Sequence, residues 1–273
     1  MAALPIAIFG ISGRMGQSLI RALREDEQQG DGALGLRLSG AMASSASAHL
    51  GRDAAIEGPA TGVTVTADAA TALSGAKLAL DFSQPAAVLA HARACAAARV
   101  PLLIGVTGFD GAAREALSAL AREIPLLLAP NTSVGVSVLN ELAAMAAKTL
   151  GLAYDVEIGE AHHSLKRDAP SGTALKLGET VAQARGQRLS EAAAYDRAGA
   201  STVRAAGSIG FSVVRAGDIV GEHTVTFAAA GERVELTHRA TDRMIFARGA
   251  LQAGRWLVGR PPGLYAMKDV LGL

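Results

Sequence analysis

The sequence predicts an α/β protein in which a doubly wound parallel sheet is followed by a smaller α+β domain with an open mixed sheet. Short apolar segments alternate with alanine-rich helical segments over the first half of the chain. A loop with regularly spaced glycines follows the first apolar segment, and strand-like segments follow one another directly near the end. Alternation is typical of parallel sheets, and direct succession is typical of antiparallel pairing.

The first half begins with Leu4–Phe9, an apolar, β-branched run that has the pattern of a buried strand. A helix follows, because apolar residues recur at helical spacing from Met15 to Leu23. Further strands are predicted at Leu36–Met42, 77–82, 100–106 and 124–129, with helices at 84–98 and 111–122. Strands that alternate with helices pair in parallel through right-handed crossovers.

The pattern changes near Asn131. The sequence then predicts a helix over Val134–Leu150, a strand over 154–159 and a helix over 173–184, followed by strands over 208–215, 219–228 and 233–238. Glycine-containing turns separate the last three strands, which indicates antiparallel pairing. We therefore place a first domain of α/β type at residues 1–130, completed by residues 242–273 with a helix over 246–256. A second domain, of α+β type, is placed at 131–241.

Composition excludes several classes of protein. Half of the 273 residues are hydrophobic, which is enough for a substantial core. The 26 Lys+Arg side chains balance 25 Asp+Glu side chains and only 4% of residues are aromatic, so neither nucleic acid nor a membrane surface is an expected partner. No uninterrupted apolar stretch approaches the roughly 20 residues of a membrane span. The single cysteine, Cys95, allows no internal disulfide and is expected in the core, which suits a cytoplasmic protein.

A loop with glycines at three-residue intervals joins the first strand to the first helix. This spacing is a variant of the dinucleotide fingerprint, and its position between a strand and a helix strengthens the match. Gly10 permits a tight turn, Gly13 lets the backbone approach a pyrophosphate, and Gly16 allows close packing of the helix. The sequence predicts a Rossmann-like cofactor site, with an ordinary turn as the alternative, at Gly10, Ile11, Ser12, Gly13, Arg14, Met15 and Gly16.

Three more segments end predicted strands at the carboxyl edge, where open α/β sheets bind nucleotides. An acidic side chain after the second strand would bind the ribose 2′-hydroxyl of NADH. Ala43 and Ser44 stand there with no arginine beside them, so the sequence weakly favours NADPH or use of both NADPH and NADH, and predicts no strong selectivity for NADPH. The other two segments are predicted to line the crevice and comprise Gly105, Val106 and Thr107, then Ala129, Pro130, Asn131 and Thr132.

The most informative motif joins proton-transfer and anion-binding residues in one short segment, which contains His162, His163, Lys166, Ser171, Gly172 and Thr173. Imidazole titrates near neutral pH, so two histidines with a nearby lysine indicate proton transfer and anion binding. The Ser-Gly-Thr sequence follows Pro170 and predicts a helix start, whose backbone N–H groups bind carboxylates or phosphates.

A metal site is not expected in this segment. Protonated lysine is a poor zinc ligand, and adjacent histidines on a strand point to opposite faces of a sheet. For the other histidines a structural role is the better hypothesis, namely a surface or core role for His49 and His91, and packing or an interface for His223 and His238.

Together these motifs resemble those of the dihydrodipicolinate reductase family, also called 4-hydroxy-tetrahydrodipicolinate reductases, over essentially the whole chain. The segment from Glu160 to Ala174 resembles the family signature E-x-H-H-x-x-K-x-D-x-P-S-G-T-A, and residues 10–16 resemble its G-x-x-G-R-M-G loop. Segments 105–109, 131–135 and 215–223 are also similar. Many members carry an acidic residue where this chain has Ala43-Ser44, and some carry arginine in place of Gln84.

The resemblance implies reduction of 4-hydroxy-tetrahydrodipicolinate to tetrahydrodipicolinate in lysine and diaminopimelate biosynthesis, with hydride from NADPH or NADH. It implies that His162 is the general acid and that Lys166 assists, as a second acid or by stabilising negative charge. His163, Lys166 and the segment 171–173 would bind the carboxylates of a cyclic dicarboxylate. A homotetramer associated through the second domain is expected. The alternative is a non-catalytic protein that senses NAD(P).

Overall fold

The computed structural model describes residues 3–30, 34–199 and 201–273. The chain divides into two compact units. The first comprises Met1–Ser133 and Met244–Leu273, and the second comprises Val134–Arg243.

The first unit is built on a seven-stranded parallel sheet. Its strands are β1 (Leu4–Phe9), β2 (Leu36–Met42), β3 (Val65–Thr66), β4 (Leu78–Asp81), β5 (Leu102–Ile104), β6 (Pro125–Leu128) and β12 (Gly263–Tyr265). They lie in the order β12-β6-β5-β4-β1-β2-β3. The order reverses at β1, so the carboxyl ends of β1 and β4 border the crevice in which such sheets bind ligands.

The helices of the first unit are α1 (Arg14–Glu27), α2 (Ala69–Leu73), α3 (Val88–Ala98), α4 (Gly111–Leu120), α8 (Met244–Leu257) and α9 (Met267–Leu271). All four residues of β4 are buried, as expected for a central strand of a doubly wound sheet. Cys95 is fully buried in α3, as predicted. The short elements β3, α2, β12 and α9 were not predicted, because segments of two to five residues carry too little periodicity to be recognised.

The second unit has a five-stranded mixed sheet. Its elements are α5 (Val134–Leu150), β7 (Asp155–His162), α6 (Gly172–Ala184), α7 (Leu189–Ala192), β8 (Ala193–Ala194), β9 (Ile209–Arg215), β10 (Gly221–Ala229) and β11 (Glu232–Ala240). The strand order is β11-β10-β7-β9-β8. The predicted fold class, a doubly wound sheet plus a smaller unit with a mixed sheet, is therefore confirmed.

The expected antiparallel pairing of β9 with β10 was wrong. β7 lies between them and pairs in parallel with β9 and antiparallel with β10. The glycine-containing turn after β9 is bound to the end of β7, because Ala216 N donates to His162 O at 2.9 Å and Ser164 N donates to Gly217 O at 3.1 Å. The turn therefore crosses the end of β7 instead of closing a hairpin.

Alternation along β7 decides which side chains face the core. Val156, Ile158 and Glu160 are buried, and the two apolar residues pack in the core formed with α5 and α6. Because strand residues alternate between faces, His162 shares this face at the end of the strand. A carboxylate and an imidazole thus lie at the edge of the core.

Within the part of the chain that the structure describes, one segment, Val134–Ala153, is long and apolar enough to cross a membrane by length and composition alone. It contains Asn140, Glu141 and Lys148, and its residues Leu139, Ala143 and Ala147 are buried in the core of the second unit. Core helices of globular proteins pass the same test, and this stripe packs in the core, whereas Leu142 and Met145 on the same helix are exposed.

Candidate functional site

The loop between β1 and α1 has the backbone shape of a phosphate-binding turn. Gly10 has a φ of +79°, which glycine adopts without strain, and its N–H donates to Met42 O at 2.9 Å. Gly13 caps α1 without a side-chain hydrogen bond. A Cβ on Gly16 would lie 2.4 Å from the backbone oxygen of Ile11, so the helix approaches the loop only because no side chain is present. The helix start presents backbone N–H groups to an anion.

The other residues of this loop differ in exposure. Ile11 is buried, Ser12 and Met15 are partly buried, and Arg14 is exposed at the first position of α1. A guanidinium in this position suits a phosphate oxygen.

A cavity of about 360 Å³ is lined by residues that follow β4 and β5. Its lining includes the predicted residues Met15, Gly105, Val106 and Thr107, together with Phe82, Ser83, Gln84 and Pro85, which were not among the predicted site residues. A Cβ on Gly105 would lie 2.0 Å from the Phe82 ring, so this wall depends on the glycine. The volume lies at the small end of ligand pockets and suits one part of a dinucleotide.

A buried contact between a carboxylate and an imidazole supports the wall of this cavity. Asp81 ends β4 with no exposed surface, and its Oδ1 accepts from Ser83 N at 2.9 Å. Its Oδ2 lies 2.8 Å from Nδ1 of His91, a residue of α3 whose ring packs on Phe9. His91 therefore has the core role, the second of the two roles predicted for it.

The predicted residues after β2 and β6 are held by local hydrogen bonds. Ala43 is buried and donates to Thr66 O at 3.0 Å, whereas Ser44 is exposed. Ala129 is buried and Pro130 is exposed, while Asn131 Oδ1 accepts from Ser133 N at 2.9 Å. The Thr132 hydroxyl donates to Phe246 O at 2.7 Å and so anchors α8. Contact of these residues with a cofactor stays a prediction.

In the second unit, the histidine motif is organised around Glu160, which is 3% exposed. Arg215 at the end of β9 donates to both carboxylate oxygens at 2.8 Å. Nδ1 of His162 lies 2.6 Å from Oε2, and Ser171 N donates to Oε1 at 2.9 Å. The register of β7 and β9, which places His162 opposite Arg215, brings these groups together. The end of β7, the start of α6 and the end of β9 thus meet at one carboxylate.

The start of α6 lies beside a second buried histidine. Ser171 caps α6, its Oγ accepting from Ala174 N at 3.2 Å, and the same oxygen lies 3.0 Å from Nε2 of His223. The rings of His223 and His162 meet edge to face with centroids 5.1 Å apart. Gly172 is exposed, and a Cβ added to it would meet no atom within 4 Å, so the helix N-terminus is open to a ligand.

Lys166 and His163 lie on the loop between β7 and α6. Nζ of Lys166 donates to both carboxylate oxygens of Asp168, at 2.9 and 2.8 Å. His163 is partly buried, and its backbone oxygen accepts from Lys166 N at 3.1 Å. Arg215 also donates to Asp168 O at 2.5 Å, which ties this loop to the Glu160 cluster.

Burial and charge set the pKa values in the cluster. Burial alone would raise the pKa of Glu160, but hydrogen bonds from Arg215, His162 and Ser171 N outweigh it and hold the pKa below its usual value. Burial lowers the pKa of His162, against the opposing effect of Glu160. Burial, with the charge of His162, lowers the pKa of His223 to about 4. The free site therefore favours an ionised carboxylate between neutral imidazoles near pH 7.

Three residues of this cluster were not predicted from the sequence as members of the site, namely Glu160, Arg215 and His223. The sequence contained a signal for Glu160, because this residue precedes His162 by two positions and so lies on the same face of a strand. The other two are brought in by strand pairing, which the sequence did not reveal. Within the described residues, no group of three or more His, Cys, Asp or Glu side chains is arranged to hold a metal ion.

Comparison with known proteins identifies the family. The model for the N-terminus of dihydrodipicolinate reductase matches residues 4–132, and the model for its C-terminus matches residues 135–271. The chain belongs to the dihydrodipicolinate reductase family. It is 51% identical to 4-hydroxy-tetrahydrodipicolinate reductase of Thiobacillus denitrificans over 98% of each chain. It is 49% identical to the enzyme of that name from Anaeromyxobacter dehalogenans, over 98% of this chain and 97% of the relative.

A solved structure has the same fold. Dipicolinate-bound dihydrodipicolinate reductase from Paenisporosarcina sp. TG-14 matches with a TM-score of 0.77 and 23% identity, covering 98% of each chain. The predicted family, its reductase activity and the use of a nicotinamide cofactor are confirmed by membership in this family. The alternative of a non-catalytic sensor is not favoured.

Proposed function

We propose that this chain reduces 4-hydroxy-tetrahydrodipicolinate to tetrahydrodipicolinate, a step of lysine and diaminopimelate biosynthesis. The observation that carries the proposal is the cluster in the second unit, where His162, Lys166 and the open start of α6 combine a proton donor with groups that bind anions. Relatives of 51% and 49% identity carry the corresponding enzyme name. A cyclic dicarboxylate is the substrate class that this combination suits.

The first unit would hold the cofactor. The backbone N–H groups at the start of α1 and the exposed Arg14 fit a pyrophosphate, and the cavity lined by Met15, Gly105 and Thr107 fits the nicotinamide end. When bound, NADPH or NADH supplies the hydride. Since no carboxylate stands at Ala43 or Ser44, the 2′-phosphate of NADPH meets no repulsion there.

His162 would hold the proton that is delivered to the substrate ring. Its Nδ1 is bound to Glu160, so Nε2 is the nitrogen left to face a ligand. The approach of a dianionic substrate favours the charged imidazole and offsets the burial that lowers its pKa in the free site. Lys166 assists by stabilising negative charge or as a second acid.

The substrate carboxylates would be bound by His163, Lys166 and the first residues of α6. The N-terminus of α6 carries partial positive charge, and the Gly172 and Thr173 amides lie in its first turn. Ser171 supports this turn as its cap. Lys166 is paired with Asp168 in the free protein, and a substrate carboxylate would bind to the same ammonium group.

The double variant His162→Gln/Lys166→Ala tests these roles. We expect turnover with freshly generated substrate to fall by at least about 100-fold, while the Kd for NADPH stays within about twofold, because general acids contribute factors of this size. Lys176→Ala, which removes an exposed lysine of α6 paired with Glu179, is the matched control and retains activity. Undiminished turnover of the double variant would refute the acid role. Wild-type protein that binds NADPH without turnover would favour the sensor hypothesis.

We also infer that the second unit, residues 131–241 by the sequence-based boundaries, associates into a homotetramer in the cytoplasm. The sheet face opposite the core carries Thr224 and Thr237, whose hydroxyls are 3.0 Å apart and exposed, together with the half-exposed Val214. Such a face suits association of sheets. Light scattering should give a mass about four times the 27.7 kDa of one chain, and a monomeric mass would refute the proposal. Cell fractionation tests the location.

A further inference from the structure

We infer that Glu160 is a positioning residue that fixes which nitrogen of His162 carries the transferable proton and holds that imidazole, the start of α6 and the Lys166 loop in one arrangement. The inference rests on the proposed function in one respect, namely that the proton of His162 is the one used. Its structural content, the tautomer of His162, is independent of the substrate.

The carboxylate of Glu160 accepts hydrogen bonds from the protein at all of its acceptor positions. Oε1 accepts from Ser171 N at 2.9 Å and from Arg215 Nη2 at 2.8 Å. Oε2 accepts from Arg215 Nη1 at 2.8 Å and lies 2.6 Å from His162 Nδ1. A carboxylate has about four acceptor positions, so every one is occupied by protein. A side chain in this state orients its neighbours and is not available to carry a proton itself.

The tautomer follows from the chemistry of the acceptor. An ionised carboxylate can only accept hydrogen bonds, and the bidentate Arg215 stabilises the ionised form of Glu160. Nδ1 of His162 must therefore carry a hydrogen in both charge states of the ring. Only Nε2 gains or loses a proton. This is the arrangement in which an imidazole delivers a proton from one defined direction.

The space next to Nε2 is kept open by a glycine. A Cβ on Gly221, the first residue of β10, would lie 3.0 Å from Nε2 of His162. The ring of His223 packs edge to face against the imidazole. The ring orientation is thus set by the hydrogen bond to Glu160 and by packing.

Glu160 also reaches the substrate-binding side of the cluster. Through Ser171 N it binds the residue that caps α6, whose first turn would bind a substrate carboxylate in the proposed function. Through Arg215, which donates to Asp168 O at 2.5 Å, it is connected to the loop that carries Lys166. One carboxylate thereby fixes the positions of the proton donor and of two anion-binding groups.

The test is Glu160→Gln, with Glu157→Gln as matched control. Glu157 lies three residues earlier on β7, on the opposite face, and also pairs with two arginines, Arg197 at 2.7 Å and Arg204 at 3.2 Å. An amide at position 160 donates to Nδ1 and moves the hydrogen of the neutral ring to Nε2. We expect kcat to fall by about 100-fold or more, the Kd for NADPH to stay unchanged, and the alkaline limb of kcat/KM to move to lower pH.

The decisive measurement is the ¹⁵N spectrum of the His162 ring, assigned with His162→Gln. Wild-type protein and Glu157→Gln should show hydrogen on Nδ1 above the imidazole transition, and Glu160→Gln should show it on Nε2. Wild-type hydrogen on Nε2 overturns the inference even if Glu160→Gln does not fold. Unchanged tautomer and pH profile in a folded Glu160→Gln also overturn it. Absence of wild-type turnover would refute the proposed function alone, because the spectrum needs no substrate.

Discussion

The glycine loop of the first unit, residues 10–16, and the cluster around Glu160 in the second unit are both suited to anionic ligands, but for opposite structural reasons. The loop relies on missing side chains, since Gly10 adopts a left-handed turn and Gly16 allows α1 to touch the backbone of the loop. The cluster relies on side chains, with one buried carboxylate bound by Arg215, His162 and a backbone amide. Ligand binding at the first site therefore depends on backbone shape, and function at the second depends on charge and protonation.

Substitution of a loop glycine should cause the greatest loss of function, because the loop depends on its backbone shape. Gly16→Ala should abolish measurable NADPH binding, a loss of at least about 100-fold, because its Cβ would lie 2.4 Å from Ile11 O and displace the turn. Titration calorimetry measures the Kd, and circular dichroism measures the accompanying fall in Tm. Gly111→Ala, at the start of α4 with no atom within 4 Å of the added Cβ, is the control and should bind normally. Normal binding by Gly16→Ala would contradict the role of shape.

The two sites also differ in how much the sequence reveals about them. The loop was predicted residue by residue, because its signal is local: a strand, spaced glycines and a helix start. The cluster was predicted only where it is contiguous, from His162 to Thr173. Arg215 joins the cluster because β9 pairs with β7 and places it opposite His162. His223 joins because β10 pairs with β7 and places it opposite Glu160. Such pairing depends on long-range register, and the turn at Gly217 wrongly indicated a β9–β10 hairpin.

The second expected effect concerns the sensitivity of the cluster to pH. Burial lowers the pKa of His223 from 6.5 to about 4, so the folded protein resists protonation that the unfolded chain accepts. The free energy of unfolding should therefore fall as the pH drops from 6.5 to 4, by up to roughly 3 kcal/mol from this residue. Urea unfolding across this range measures the effect.

His223→Asn, whose amide can still bond to Ser171, should remove most of this pH dependence. The pKa values of His162 and His238 are also lowered by burial, so a smaller slope remains. An equal slope in His223→Asn and wild type would contradict the assignment to His223.

The Glu160 cluster should also depend on the absence of a side chain, at Gly221. Gly221→Ala places a Cβ 3.0 Å from Nε2 of His162, which is tighter than ordinary contact, so the imidazole must shift by a few tenths of an ångström. We expect kcat to fall about tenfold with unchanged Kd for NADPH, because small displacements of a reacting group are costly. Steady-state kinetics measure kcat, and titration calorimetry measures the Kd for NADPH. Gly159→Ala, on β7 with its nearest neighbour the Ser212 hydroxyl at 3.3 Å, is the control on the opposite face. An unaltered kcat in Gly221→Ala would show that the space beside Nε2 is not needed.

A new negative charge at Ser44, in the cofactor site of the first unit, should have a smaller effect than the substitutions above. Ser44 is exposed after β2, where a carboxylate would repel the 2′-phosphate of NADPH and bind the 2′-hydroxyl of NADH. Wild-type protein should use NADPH at least as well as NADH at equal concentration. Ser44→Asp should weaken NADPH binding about fivefold, since an exposed charge contributes about 1 kcal/mol, and should leave NADH binding unchanged or slightly tighter.

Ser74→Asp adds the same charge at the exposed end of α2 and should change neither Kd. Strong NADH selectivity of the wild type would contradict this interpretation of Ala43 and Ser44, and would mean that residues beyond this position distinguish the two cofactors.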